Sequence, residues 1–158
     1  MVVHWFDRKF TQSREAKKEL KQIKIYFDGG CQPNPGSKYG SYEVVIDGLS
    51  VIRKERVDLG YGTNNEAEFE ALIEALKDLK AHAAAGTLKA SACSVETDSK
   101  IVVKRLTNGN RLHTKPAWRE ASERMFNLAN RVLDFEPMFS SFSVRWKGRE
   151  SNVERFGH

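Results

Sequence analysis

The feature that most constrains the fold is a change of hydrophobic period near residue 63. Three strand-like runs with short connections precede it, at residues 23–28, 41–48 and 50–60. In the first run Ile23, Ile25 and Phe27 alternate with more polar neighbours, the period of two that is typical of a strand. Asp47-Gly48, between the second and third runs, is a hairpin signal. The three runs therefore predict an antiparallel meander.

The chain then switches to a helical period. Residues 63–82 carry one apolar stripe, made of Phe69, Leu72, Ile73, Leu76 and Leu79. The opposite face is expected in solvent, and its members are Glu66, Glu70, Glu74 and Lys77. Glu68 falls on the inner side instead, where a carboxylate is costly unless it is paired or bound to a metal.

The remaining segments alternate between strand and helix. A strand over 90–98 precedes a short helix over 99–106, and a long helix opens at Pro116 and ends at Pro137. The inward stripe of the long helix is predicted to be Trp118, Ala121, Met125, Leu128, Val132 and Phe135. A last strand alternates Phe142, Val144 and Trp146, and a helix begins in the tail. This order predicts an α/β fold with a mixed sheet, whose later strands pair in parallel.

Composition limits the class of protein. A chain of 158 residues, 40% apolar and 30% charged, is typical of a single globular domain. We assign 1–21 to a helical, basic amino-terminal extension and 22–158 to the domain. The absence of a long apolar run predicts no membrane association, and two distant cysteines predict reduced thiols in the cytoplasm. A net charge of +5 is compatible with a polyanionic partner.

Three carboxylates stand out from the pattern. Asp28 and Asp98 close strand-like runs, and Glu68 lies on the inner side of a helix. If the two strands are parallel neighbours, all three meet at one sheet edge, where sites form in open α/β sheets. Three clustered carboxylates require a cation, and hard oxygen ligands select Mg²⁺, or Mn²⁺ as a substitute. Two such ions would serve in-line displacement at phosphorus. Each residue alone has an ordinary reading as a turn residue, a buried acid or a helix cap.

The contexts of these carboxylates resemble the type 1 ribonuclease H family. Asp28 lies in "DGGCQPNPG", Glu68 in "TNNEAEFEAL" and Asp98 in "VETDSK", and the resemblance runs from about residue 23 to 152. It implies an endonuclease that cuts the RNA strand of RNA–DNA hybrids. It also implies a ribonuclease H-like fold, a five-stranded mixed sheet flanked by helices. The expected protein is a monomer, alone or within a larger polypeptide or replication machinery.

The resemblance also implies roles for individual residues. Asp28 would bridge two metal ions, which Glu68 and Asp98 also ligate, and Glu68 would accept a hydrogen bond from the ribose 2′-hydroxyl. The residues expected to bind substrate are Gly29, Cys31, Asn34, Thr63, Asn64, Asn65 and Lys100. Cys31, Asn34 and Asn64 match positions along the minor groove, and Thr63 and Asn65 match contacts to a DNA-strand phosphate. Turn and N-cap chemistry is the ordinary alternative for these residues.

The carboxyl-terminal segment departs from the family pattern. Phe156 occupies the place of a fourth acidic residue, four positions after Asn152. Glu154 or His158 could supply the missing metal ligand and catalytic group, or could be a surface acid and a terminal residue. Arg149 stands where many relatives have a mobile histidine and could contact a phosphate. The family's basic helical insertion is missing, so hybrid binding would depend on the amino-terminal segment and on other cations: Lys100, Lys104, Arg105, Arg111 and Lys115.

Two alternatives to the hybrid endonuclease remain. A catalytically impaired ribonuclease H-like module that binds nucleic acid or a partner protein is favoured by Phe156 and by the missing histidine. A junction resolvase that cuts DNA is disfavoured by the "TNN" and "CQPN" residues, which suit a hybrid minor groove.

Overall fold

The computed structural model describes residues 21–157, and these contain one five-stranded sheet. Its strands are β1 (Lys21–Cys31), β2 (Gly36–Ile46), β3 (Leu49–Gly62), β4 (Ser91–Thr97) and β5 (Ser141–Trp146). The sheet order is β3-β2-β1-β4-β5. β1, β2 and β3 pair antiparallel, whereas β4 pairs parallel to both β1 and β5. The mixed sheet with an amino-terminal meander is therefore confirmed.

Five α-helices lie within these residues. They are α1 (Asn64–His82), α2 (Ala85–Lys89), α3 (Lys100–Thr107), α4 (Pro116–Leu133) and α5 (Arg149–Phe156), with a 3-10 helix at Glu136–Met138. Thr63 is the N-cap of α1, and its hydroxyl accepts a hydrogen bond from the backbone N–H of Glu66 at 3.2 Å. The β2–β3 hairpin turns at Asp47 and Gly48, both with positive φ, as its Asp-Gly sequence predicts.

The core is formed where α1 packs on the sheet. Ile25 and Phe27 of β1 are fully buried, and so are Phe69, Leu72 and Leu76 of α1. Since these are the alternating and helical stripe residues of the sequence, the predicted core of the meander and the first helix is confirmed. None of the helices formed by residues 21–157 has the length and apolar character of a membrane span.

The outer face of α1 is less solvated than its polar residues predict. Lys38 of β2 is 5% exposed, and its Nζ lies 2.6 Å from a carboxylate oxygen of Glu70 and 3.9 Å from one of Glu66. The expectation that Glu66 and Glu70 lie free in solvent was wrong. Both carboxylates are half-buried and pair with a cation that β2 supplies.

The predicted stripe of α4 is correct only in its second half. Met125 and Val132 are buried, but Trp118 is 61% exposed and Ala121 is also exposed. Residues 116–121, at the amino-terminal end of the helix, are all exposed, so the apolar periodicity there does not lead to burial within the described part of the chain. It ends at Leu133, and Pro137 lies in the following 3-10 helix instead of closing α4.

Candidate active site

The site lies where β1 and β4 separate. Their parallel pairing ends at Tyr26 and Glu96, two residues before Asp28 and Asp98. β1 itself continues to Cys31, paired with β2, so Asp28 is not its last residue as the sequence suggested. Asp98 directly follows β4. Both carboxylates therefore lie at the carboxyl end of the parallel pair, where sites form in such sheets.

Glu68 reaches the same place because α1 approaches β1 very closely at Gly29. A Cβ at Gly29 would lie 2.3 Å from the carbonyl oxygen of Ala67 and 2.7 Å from the backbone nitrogen of Glu68. Only glycine permits this contact. The close contact on the Cβ side of Gly29 is therefore made by the helix that carries Glu68.

The three carboxylates form one cluster. One oxygen from each of Asp28, Glu68 and Asp98 lies within 4.8 Å of the other two. Burial raises the pKa of the Glu68 carboxyl well above its usual range, and the charges of Asp28 and Asp98 raise it further. A hydrogen bond from the Gly29 backbone acts in the opposite direction. Without a cation, this arrangement disfavours three simultaneous negative charges.

The cluster has the chemistry of a divalent cation site. Oε2 of Glu68 is the single buried side-chain oxygen or nitrogen in residues 21–157 that has no hydrogen-bond partner. An unpartnered buried carboxylate oxygen is costly, and a hard cation would satisfy it. The three residues therefore fit a Mg²⁺ or Mn²⁺ ion, for which carboxylates are preferred ligands.

Phe156, at the expected fourth acidic position, packs on the sheet. It is 8% exposed, and the guanidinium of Arg53 lies 5.6 Å from its ring centroid. Glu154 is exposed and does not belong to the carboxylate cluster. His158 lies outside the described residues. The fourth ligand thus stays a prediction, and Glu154 is not brought to the other three.

α5 is held on the sheet by a row of residues that crosses three strands. Tyr26, Glu43 and Arg53 are cross-strand neighbours on β1, β2 and β3. The guanidinium of Arg155 lies 3.4 Å from the Tyr26 ring centroid and forms an ion pair with Glu43. Asn152 is buried and donates a hydrogen bond to the Phe27 carbonyl at 3.4 Å. Phe156 belongs to this anchor.

The predicted minor-groove residues bond to one another. The Cys31 backbone N–H donates to Oδ1 of Asn64 at 2.8 Å, and the Asn64 backbone N–H donates to Oδ1 of Asn34 at 3.1 Å. The Cys31 thiol is buried and contacts the Gly62 carbonyl at 3.4 Å. These bonds fix the turn after β1 against the start of α1. Both asparagines use their side-chain oxygens here, which leaves amide donors for a ligand.

A small cleft of about 230 Å³ lies beside this turn. Asn34, Thr63 and Asn65 line it together with Arg124 of α4, which sequence reasoning missed. The Arg124 guanidinium lies 3.9 Å from Glu66 and 3.4 Å from Glu120, and its side chain is 51% exposed. No motif in the sequence marks Arg124, because only the packing of α4 against α1 brings it to this position.

Lys100 and Arg149 follow the carboxyl ends of the two parallel strands β4 and β5. Both are exposed, and each begins a helix. The Lys100 ammonium lies 5.8 Å from the ring centroid of Trp146. The connection from α3 to α4 spans only 108–115 and contains no helix, so the short loop inferred from the sequence is present.

Comparison with known proteins agrees with this geometry. The RNase H family model matches residues 20–147. A "Ribonuclease H" of Syntrophus aciditrophicus is 34% identical over 147 residues, covering 88% of this chain and 77% of that protein. The crystal structure of LC11-RNase H1 in complex with an RNA/DNA hybrid superposes with a TM-score of 0.61 at 27% identity, covering 84% of this chain and 89% of that one.

Some relatives are much longer than this chain. The "Bifunctional protein Rv2228c" of Mycobacterium tuberculosis is 27% identical over 133 residues, and the match spans 33% of its length and 84% of this chain. The family match, the 34% identical relative and the common fold lead to one conclusion: the chain belongs to the ribonuclease H family of enzymes.

Proposed function

We propose that this chain is an endonuclease that hydrolyses the RNA strand of RNA–DNA hybrids, with Asp28, Glu68 and Asp98 as its catalytic carboxylates. The observation that carries the proposal is the cluster itself, in which the buried Oε2 of Glu68 has no protein partner within the described residues. The relative solved with an RNA/DNA hybrid supports the choice of substrate.

The three carboxylates would hold divalent ions, Mg²⁺ by preference and two in number. Ions bound there supply a water of lowered pKa and stabilise charge on the leaving 3′ oxygen. Asp28, to which the family pattern gives the bridging role, is the candidate to ligate both ions. Glu68 is the carboxylate that comes from a helix. It would accept a hydrogen bond from the ribose 2′-hydroxyl and so distinguish RNA from DNA.

The surrounding residues would position the hybrid. The amide groups of Asn34 and Asn64, with Cys31 and Gly29, suit hydrogen bonding and close contact in the minor groove, where the base edges present acceptors. The cleft of Thr63, Asn65 and Arg124 suits a phosphate of the DNA strand, because it combines polar donors with a cation. For that contact the Arg124 guanidinium would leave Glu66 and Glu120.

Other cations lie in and next to the α3–α4 connection and at the start of α5. Lys104, Arg105 and Arg111 surround a cleft of about 460 Å³ in the α3–α4 connection. Arg149, exposed at the start of α5, would contact a phosphate near the cut. Since these residues replace a basic insertion, hybrid affinity should fall steeply with salt.

A ribonuclease H with impaired turnover is the second candidate. It is favoured by the packing of Phe156 on the sheet, which leaves the fourth acidic position without a carboxylate. Such a protein would bind the hybrid and cut it slowly. Glu154→Gln and a chain with His158→Ala test whether either residue contributes to the rate; unchanged cleavage in both variants means that three carboxylates suffice.

We also propose a cytoplasmic protein that acts as a monomer or as a module of a larger polypeptide. Two free thiols, Cys31 and Cys93, support a reducing compartment. The long mycobacterial relative supports the module, since the match spans a third of it.

The test is incubation with labelled RNA–DNA hybrid, duplex DNA and duplex RNA, each with Mg²⁺, Mn²⁺ or a chelator. We expect cleavage of the RNA strand of the hybrid alone, abolished by the chelator. Absence of hybrid cleavage under every metal condition overturns the enzymatic proposal, and cleavage of duplex DNA alone points to a resolvase-like activity.

A further inference from the structure

A half-exposed tryptophan lies beside the carboxylate cluster. Trp146 is the last residue of β5 and is the register partner of Thr97, which directly precedes Asp98. Its side chain is 49% exposed. Phe142 and Val144, which alternate with Trp146 along β5, are partly buried against the core, whereas Trp146 is exposed. A large aromatic side chain is therefore half exposed beside the strand end that carries Asp98, since its register partner is the residue before Asp98.

Trp146 is held in place by its neighbours. The Lys147 backbone N–H donates to the Thr97 carbonyl at 2.7 Å, which ties the end of β5 to the end of β4. The Lys147 ammonium lies 3.8 Å from the buried carboxylate of Glu96. The Lys100 ammonium lies over the indole ring, 5.8 Å from its centroid. An anchored strand end and a cation over the ring keep the indole in a defined position.

The same edge of the molecule is positively charged. Lys100 is exposed at the start of α3, and Arg149 is exposed at the start of α5. An aromatic face among cations suits a nucleic-acid strand, which offers apolar sugar edges and anionic phosphates at regular intervals.

We propose that Trp146 and Lys100 form one binding element for the sugar–phosphate backbone of the strand that is cut, directly beside Asp98. This rests on the proposed function. Trp146 packs on the sugar edge, and Lys100 contacts the adjoining phosphate. The bases of a hybrid duplex are stacked and paired, so an indole outside the duplex meets sugars and not base faces. The element is therefore independent of nucleotide sequence.

The two side chains should contribute in different ways. Lys100 neutralises a phosphate, so its contribution depends on salt. Trp146 contributes apolar contact, which salt screens little. Removing each side chain in turn distinguishes this element from a general basic surface, on which only the cation would matter.

The experiment measures the dissociation constant of a labelled RNA–DNA hybrid at several salt concentrations. Asp28→Asn serves as the parent, so that the hybrid is not consumed. Trp146→Ala is expected to weaken binding about tenfold, because it removes apolar contact with a sugar, and to leave the salt slope unchanged. Lys100→Ala is expected to weaken binding and to lower the slope by about 1.

Two matched controls lie far from the cluster. Leu49→Ala removes an exposed apolar side chain at the β2–β3 hairpin, at the other end of β1, and Lys80→Ala removes an exposed lysine in the last turn of α1. Neither should change the affinity more than about twofold. Trp146→Phe keeps an aromatic ring and should retain most of the binding, with unfolding temperatures recorded for every variant.

The outcomes separate the two proposals. If the parent binds no hybrid, the proposed function fails. If the parent binds and Trp146→Ala binds equally well, this inference fails while the function stands. Equal losses in Trp146→Phe and Trp146→Ala also overturn it, since packing of the ring on a sugar edge should survive in part when an aromatic ring is kept. Cleavage assays of the same variants in the active protein should show the effect in KM and little in kcat.

Discussion

At the scale of single residues, Glu68 decides what the site can do. It is the one carboxylate of the three that comes from a helix, and burial together with Asp28 and Asp98 raises its pKa. Its Oε2 has no hydrogen-bond partner in the described part of the chain. A group arranged in this way stabilises the folded protein only when a cation is bound. Function and stability therefore oppose each other at this residue.

Glu68→Gln tests that opposition. The neutral amide removes repulsion from Asp28 and Asp98, so the unfolding temperature without metal should stay equal or rise. Mg²⁺ at about 100 times its dissociation constant should stabilise the unchanged protein by about 2.7 kcal/mol and the variant far less. Thermal unfolding with and without Mg²⁺ measures both effects.

Glu74→Gln is the matched control on the same helix, because Glu74 lies on the outer face of α1 and pairs with Lys77 at 3.2 Å. It should leave the response to Mg²⁺ unchanged. A marked loss of stability in Glu68→Gln without metal would mean that the carboxylate has structural partners and is not a cation ligand.

At the scale of elements, the contact of β1 with α1 sets the position of the cluster. Gly29→Ala would place a Cβ 2.3 Å from the Ala67 carbonyl oxygen, so α1 must move away from the strand. We expect a loss of about 1–3 kcal/mol in the free energy of unfolding and a large fall in cleavage rate. Chemical denaturation and the hybrid assay measure the two effects.

Gly86→Ala is the control, because nothing lies within 4 Å of a Cβ at that position in α2. It should be neutral or stabilise the protein by up to about 1 kcal/mol. If Gly29→Ala were equally harmless, the close approach would not be what positions Glu68.

The second element-scale feature is the anchor of α5. Burial alone would raise the pKa of the Glu43 carboxyl, but Ser50, Arg53 and Arg155 outweigh it and hold the pKa below its usual range. The Glu43 side chain is 10% exposed. Glu43→Gln should therefore cost about 1–3 kcal/mol of unfolding free energy at neutral pH, since it leaves two guanidinium groups with a weaker partner.

The contribution of Glu43 to the free energy of unfolding should depend on pH in one direction. Because the folded pKa of Glu43 is depressed, its contribution is complete above the ordinary value of 4.5 and is lost as pH falls below it. The stability difference between the unchanged chain and Glu43→Gln should shrink in acid. Glu55→Gln, which removes a 54% exposed partner of Arg53, is the control and should cost less than about 1 kcal/mol at any pH. A difference that grows in acid would contradict the assignment.

At the scale of the whole molecule, most of the fold and the clustering of the three carboxylates could be predicted from the sequence. Period and turn chemistry act locally, so the meander, α1 and the Asp47-Gly48 hairpin could be read directly. Contacts between elements that are distant in the sequence could not be predicted in this way. Lys38 is buried against α1, Arg124 reaches a cleft formed by other elements, and Trp146 remains exposed despite its alternation. Each of these depends on which surfaces meet, and no single-sequence pattern records that.

The account as a whole depends on the carboxylate cluster as the place where the hybrid is cut. The most direct measurement is the single-turnover rate of hybrid cleavage against Mg²⁺ concentration for the unchanged chain and for Asp28→Asn. The account predicts a rate that saturates with Mg²⁺ and falls about a thousandfold in a variant that remains folded. Retained cleavage by Asp28→Asn, or cleavage by the unchanged chain that does not depend on Mg²⁺, would contradict it.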